Sequence, residues 1–98
     1  MTIKKSTKDK ELEVKVSGRL DTTTAPQLET ELKQGIENKE LLILDFSELE
    51  YLSSAGLRVI LAAQKVMNKQ GKMIVRNVNE TIMDIFEVTG FTDILTIE

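Results

Sequence analysis

The run "ELLILDF", residues 40–46, constrains this chain most. Leu41 to Leu44 are apolar with no polar residue between them. That suits a central strand, paired on both edges and covered on both faces. Such a strand needs neighbours and covering helices, and the rest of the chain must supply them. With 98 residues there is room for one domain, 1–98, and a single core.

The neighbours are readable. In "ELEVKVSG", residues 11–18, Leu12, Val14 and Val16 face one way and Glu11, Glu13 and Lys15 the other. That is the period of a strand with one wet face. Residues 2–7, anchored by Ile3, are expected to pair with it across the polar turn at Lys8–Lys10. In "TTTAPQLETELKQGIEN", Thr24 and Gln27 have capping-box spacing, and Pro26 sits in the first turn, where its missing N–H costs nothing. Ala25, Leu28, Leu32 and Ile36 form the buried stripe of that helix. A second helix runs from about Ala55 to Gln70, with Leu57, Ile60, Leu61 and Met67 among its buried candidates and Gly71 at its C′ position. "KMIVRN" is a short strand. Asn79 can cap a third helix carrying Ile82, Ile85 and Phe86, which Gly90 ends. "ILTI" is a last short strand. The order β-β-α-β-α-β-α-β predicts an α/β domain: a parallel core built from β-α-β units, with an antiparallel hairpin at its start.

Two absences narrow the chemistry. The chain has no cysteine, so no disulfide, thiol nucleophile or thiolate metal site. It has no histidine, which removes a Ser-His-Asp triad and leaves zinc with carboxylates only. The net charge of −3 and pI of about 5.0 argue against nucleic acid as a partner. Lysines 4, 5, 8 and 10 are interrupted by Asp9 and Glu11 and read as a solvated hairpin. No apolar run approaches the ~20 residues that span a bilayer. No apolar segment follows the early lysines as in a secretory signal, so the expected setting is cytoplasmic, without a membrane partner. The glycines at 18, 35, 56, 71 and 90 are dispersed, and no glycine-rich phosphate loop supports a nucleotide site.

The chemistry that remains is concentrated in "YLSSAGLRVIL", residues 51–61. The strand "LLIL" is expected to end at Asp45, and the loop "DFSELEYLSS" to lead into the second helix. Open α/β sheets carry functional loops at such carboxyl ends. Either serine can cap the helix; Ser54 is the expected N-cap, with Ala55 and Gly56 as the first helical residues. One reading of Ser54 is a cap that stabilises the helix by ~1 kcal/mol. The other is a phosphoacceptor, because a helix N-terminus offers free N–H groups and a dipole that favour an anion. Arg58, four residues on, would neighbour a phosphate on Ser54 or reach an acidic group on a partner. Gly56 allows close approach by a packing helix or a partner. Asp21 and Asp45 each follow a strand segment and are expected near the same end of the sheet, as site residues or as turn acceptors. A serine with no general base is a poor nucleophile, and "SSAG" is not a G-x-S-x-G elbow. The junction is therefore something acted upon, and the chain is not expected to be an enzyme.

Three stretches in this order, "VSGRLDTTTAPQLETEL", "LILDFSELEYLSSAGLRVIL" and "FEVTGFTDIL", resemble the STAS domain, and more narrowly the bacterial anti-sigma factor antagonists. Gly18, Asp21, Thr24 and Ala25 follow the family's G-x-x-D-x-x-T-A pattern. Asp45, Ser54, Gly56 and Leu57 follow its strand–Asp–loop–Ser–x–Gly–Leu pattern. The resemblance implies a single STAS domain with two to four helices on a mixed sheet, and a partner switch without a cofactor or metal. The unmodified protein would bind an anti-sigma factor that is also a serine kinase, and so free the sigma factor. Phosphorylation at Ser54 would end the complex, and a metal-dependent serine phosphatase would reverse it. Where the family commonly has Asp-Ser, this chain has Ser53-Ser54, which makes Ser53 a competing acceptor. Asp21 is carried over as a contact at the partner surface, and Thr24, Asp45, Ser53, Gly56, Leu57 and Arg58 are the further candidates for it. The competing reading is a constitutive STAS scaffold or sensory module in which Ser54 only caps a helix.

Overall fold

The computed structural model describes residues 1–98. The chain runs β1 (Thr2–Lys8), β2 (Glu11–Leu20), α1 (Ala25–Gly35), β3 (Leu41–Leu52), α2 (Ser54–Gln70), β4 (Lys72–Arg76) and α3 (Glu80–Thr89), then a 3₁₀ turn at Phe91–Asp93. The sheet order is β1-β2-β3-β4, with β1 antiparallel to β2 and the other pairs parallel. The turn joining β1 to β2 is Asp9–Lys10, and Asp9 adopts the left-handed conformation that aspartate tolerates.

One cluster of 23 buried side chains holds the fold together. Leu12, Val14 and Val16 of β2, Leu42 and Leu44 of β3, and Met73 and Val75 of β4 meet the apolar stripes of all three helices there. The α1 stripe is as the period predicts: Ala25, Leu28, Leu32 and Ile36 are all buried. Leu61 of α2, expected in the core, is only half-buried, whereas Ala63 and Gln64 are buried. Ile43 and Ile74 are buried but lie outside the cluster. They are cross-strand partners of each other and alternate with the core residues, so they belong to the opposite face. The expectation that β3 is covered on both faces is therefore corrected. The helices share one face, and the other is a ladder of charged residues with two isoleucines at its centre.

The larger correction concerns β3. It does not end at Asp45 but runs to Leu52, so the expected loop is strand. Its inward residues there are Phe46, Leu49 and Leu52, three apart rather than two. Two bulges explain the spacing. Between the pairs Lys15–Asp45 and Ser17–Glu48, and again between Gly18–Leu49 and Arg19–Tyr51, β3 carries one more residue than β2. Each extra residue re-aims the side chains that follow and adds local twist. Gly18, with φ +91, supplies a left-handed conformation at the second irregularity that a side chain would strain.

The "ILTI" segment is also less than a strand. Leu95 enters the core, Ile94 stays exposed, and a single parallel bridge joins Ile97 to Val75. At the far end of α2, the backbone N–H of Lys72 donates to the carbonyl of Glu40, fixing where β4 starts.

Candidate functional site

β2 and β3 finish side by side. Leu20 pairs with Leu52, and the N–H of Ser53 donates to the Leu20 carbonyl at 2.9 Å. The loop that opens α1 and the first turn of α2 therefore leave the sheet together and form one rim.

The two serines divide the work differently from the expectation. Ser53, not Ser54, is the N-cap. Its extended backbone and the bond to Leu20 prolong the strand by one residue, so the helix frame shifts with it. Its hydroxyl accepts from the Gly56 N–H at 3.4 Å, a long bond. Ser54 is the first helical residue, exposed, with no hydrogen bond from its hydroxyl to any other residue of the chain. The reading of Ser54 as a cap is thereby removed.

Gly56 and Leu57 are buried, not on the rim surface. A Cβ at Gly56 would lie 2.7 Å from Leu20 Cγ and 2.7 Å from Leu52 Cδ1. The close approach that Gly56 permits is thus between α2 and the strand ends beneath it. These two residues seat the helix and set the height of Ser54.

Asp21 is the knot of the neighbouring loop. Its Oδ1 accepts from the Thr23 N–H at 3.0 Å, the Thr23 hydroxyl at 2.8 Å and the Thr24 N–H at 3.2 Å. The Thr23 hydroxyl is the main reason its carboxyl is held below the ordinary carboxylate value, and the backbone donors add to it against partial desolvation. The Thr24 hydroxyl accepts from the Asp21 N–H at 2.8 Å and donates to the Arg19 carbonyl at 2.8 Å. Thr24 is the N-cap of α1 by position, but its backbone is helical and its side chain turns back into the loop. The expected capping box with Gln27 does not form, because the hydroxyl is already committed.

Sequence reasoning missed Arg19 and Tyr51. They are cross-strand partners, with the guanidinium carbon 4.2 Å from the Tyr51 ring centroid. Arg19 Nε also lies 3.8 Å from Asp21 Oδ2. Nothing in their spacing announces this, since the second bulge creates the pairing. Arg58 is exposed and has no ion-pair partner. It borders a depression with Thr22, Pro26, Glu29 and Ala55 between the starts of α1 and α2.

Asp45 is not brought to this rim. It lies seven residues before Leu52 on β3, roughly 20 Å away at ~3.3 Å per residue. It has its own network: Oδ1 accepts from the Ser47 N–H at 2.9 Å and from Asn77 Nδ2 at 3.3 Å. Burial alone would raise its carboxyl, but Ser47, Asn77 and the Lys15 charge together hold it below the ordinary value. Lys15 pairs with Glu48 at 2.9 Å, and that hydrogen-bonded carboxylate raises the ammonium. Asp45 thus braces the bulged half of β3. Asn79 does so on the outer edge, donating to the Leu49 carbonyl at 2.7 Å while its Oδ1 caps α3.

A sheet bulged in this way, presenting an idle hydroxyl at a helix start beside an aspartate-knotted loop, defines a class: the chain belongs to the STAS domain family, whose model matches residues 2–98. Its curated relatives place it among the anti-sigma factor antagonists. It is 31% identical over 99 residues to the anti-sigma-B factor antagonist of Staphylococcus aureus, covering 97% of this chain and 90% of that one. It is 33% identical over 84 residues to BtrV of Bordetella bronchiseptica, covering 84% of this chain and 72% of the relative. Among solved structures it is similar to an anti-sigma factor antagonist from Mycobacterium paratuberculosis, with a TM-score of 0.89, 26% identity, and coverage of 98% of this chain and 83% of that one. No helix of the structure is long and apolar enough to cross a membrane.

Proposed function

We propose that this chain is an anti-sigma factor antagonist whose unphosphorylated rim docks on an anti-sigma factor with serine kinase activity, freeing the sigma factor, and that phosphorylation of Ser54 ends the docking. The observation that carries the reading is the division between the serines. Ser53 spends its oxygen on the helix, and Ser54 presents an exposed hydroxyl with no bond to lose. The family's phosphoacceptor motif falls on Ser54. The kinase would transfer the γ-phosphoryl of ATP to Ser54 Oγ, leaving ADP and releasing the hydroxyl proton. A metal-dependent serine phosphatase would pass the phosphoryl group to water. The setting is the cytoplasm, where ATP and both enzymes are available. The chain is substrate and ligand in this cycle, not catalyst.

The physics supports a switch that acts on the complex rather than on the fold. A neutral hydroxyl is buried in an interface at modest cost. A phosphoserine adds about −1.5 to −2 charges, which the first turn of α2 and Arg58 tolerate in the free protein. Facing the acidic, metal-bearing site of a kinase, the same charge repels.

The test is incubation with ATP and the serine-kinase anti-sigma factor of the same genome, followed by intact mass and fragmentation. One phosphate on Ser54 is expected, absent from Ser54→Ala and retained in Ser53→Ala. Uptake on Ser53, or none on wild type, would overturn the reading.

A further inference from the structure

Resting on that reading, we infer that the docking surface continues from the Ser54 rim into the groove between α1 and α2, and that this groove receives an apolar side chain of the anti-sigma kinase while Arg58 meets one of its carboxylates. The groove has two parts that share Glu29 and Val59. The part beside the rim is bordered by Thr22, Ala55 and Arg58. The part farther along is lined by Leu32 of α1, by Ile36 at its C-cap, and by Val59, Ala62, Ala63 and Val66 of α2. Ala55 follows Ser54 directly, so a partner seated over the hydroxyl already stands at the mouth of the groove.

The lining and size select the occupant. Leu32, Ile36, Val59 and Ala63 are buried and form an apolar floor. Val66 stands above it, 40% exposed, one of four large apolar residues left in solvent. Ala62 and Ala63 are short and leave about 70 Å³ unfilled between the helices. Pockets for small-molecule ligands measure ~300–1,000 Å³. The space here suits one aliphatic side chain anchored by a larger body, as interface hot spots are. The charges agree. Lys33 already faces Glu29 at 3.9 Å, so Arg58 is the cation at the groove mouth without a partner. A carboxylate beside the inserted side chain complements it.

Ala62→Arg tests this, because Ala62 is exposed and its enlargement fills the groove without entering the core. Affinity for the kinase is measured by calorimetry for wild type, Ala62→Arg, Val66→Glu and Arg58→Glu. Thr81→Arg, on the exposed side of α3, serves as control. The groove predicts a loss of at least about tenfold for each groove variant, an unchanged control and unchanged melting temperatures. Groove variants that bind within twofold of wild type, while wild type binds and takes phosphate on Ser54, overturn the groove and leave the switch standing. Wild type that neither binds nor takes phosphate overturns both.

Discussion

The starts of α1 and α2 leave the same rim, yet they are held in opposite ways. At α1 the side chains do the holding. Asp21, Thr23 and Thr24 satisfy one another and the Arg19 carbonyl, and no hydroxyl in that set is idle. The third helical residue there, Gln27, is exposed. At α2 the backbone and the core do the holding. Ser53 N–H is tied to Leu20, Gly56 lies flat on two leucines, and the side chains contribute one long hydrogen bond. A start anchored from below leaves its surface hydroxyl free to change. A start knotted at its surface is fixed, and serves as a reference against which a neighbouring change is felt.

The sharpest way to break this contrast is at the third helical residue. Gly56→Val should cost about 2–3 kcal/mol, because Leu20 and Leu52 are buried and have no room to yield. Gln27→Ala, its counterpart in α1, should move stability by less than ~0.5 kcal/mol. Chemical denaturation of both variants decides. Similar costs would mean that α2 is not anchored from below.

The contrast also explains how much could be read without coordinates. Features set by local chemistry were legible: the α1 stripe, Pro26 in a first turn, Asn79 as a cap and Gly90 as a stop, whose φ of +80 suits glycine. Features set by register were not. Phe46, Leu49 and Leu52 recur every three residues, which resembles no strand until two bulges are known. Without the second bulge, Arg19 would face Glu50 instead of Tyr51, and the cation–π contact would vanish. The choice between Ser53 and Ser54 as cap had the same origin. The residues are identical in type, and only the bond to Leu20 fixes where the strand ends. Grouping Asp45 with Asp21 requires a strand that stops at Asp45, and β3 runs on to Leu52.

The knotted side makes a prediction about acid. Asp21 and Asp45 both titrate below the ordinary carboxylate value in the folded chain. The unfolded chain therefore takes up protons first as pH falls, and folding becomes less favourable. Their contribution should be complete above the unfolded value of ~3.9 and lost as pH drops through the lower folded values. Asp21→Asn and Asp45→Asn should each flatten the acid limb of a stability–pH curve, and together flatten it more. An unchanged slope in the double variant would show that neither carboxylate is held as the hydrogen bonds indicate. Ser53→Ala comes next, at about 0.5–1 kcal/mol, the low side of the range for a cap because its bond is long.

The smallest effect is the most diagnostic. Ser54→Ala should change stability by less than ~0.5 kcal/mol, since its hydroxyl holds nothing in the free protein. Ser54→Asp places a carboxylate at the positive end of a 17-residue helix, which favours the fold by ~0.3–1 kcal/mol at low ionic strength. That gain should shrink towards zero near 1 M salt, where screening acts within ~3 Å. It should also shrink in the Arg58→Gln background, which removes a neighbouring cation. The thermodynamic sign matters more than the size. A charge that leaves the free domain as stable as before, or slightly more so, cannot act on a partner by unfolding this one. If Ser54→Asp instead lost more than ~1 kcal/mol, the hydroxyl would be part of the scaffold after all, and the two helix starts would be alike.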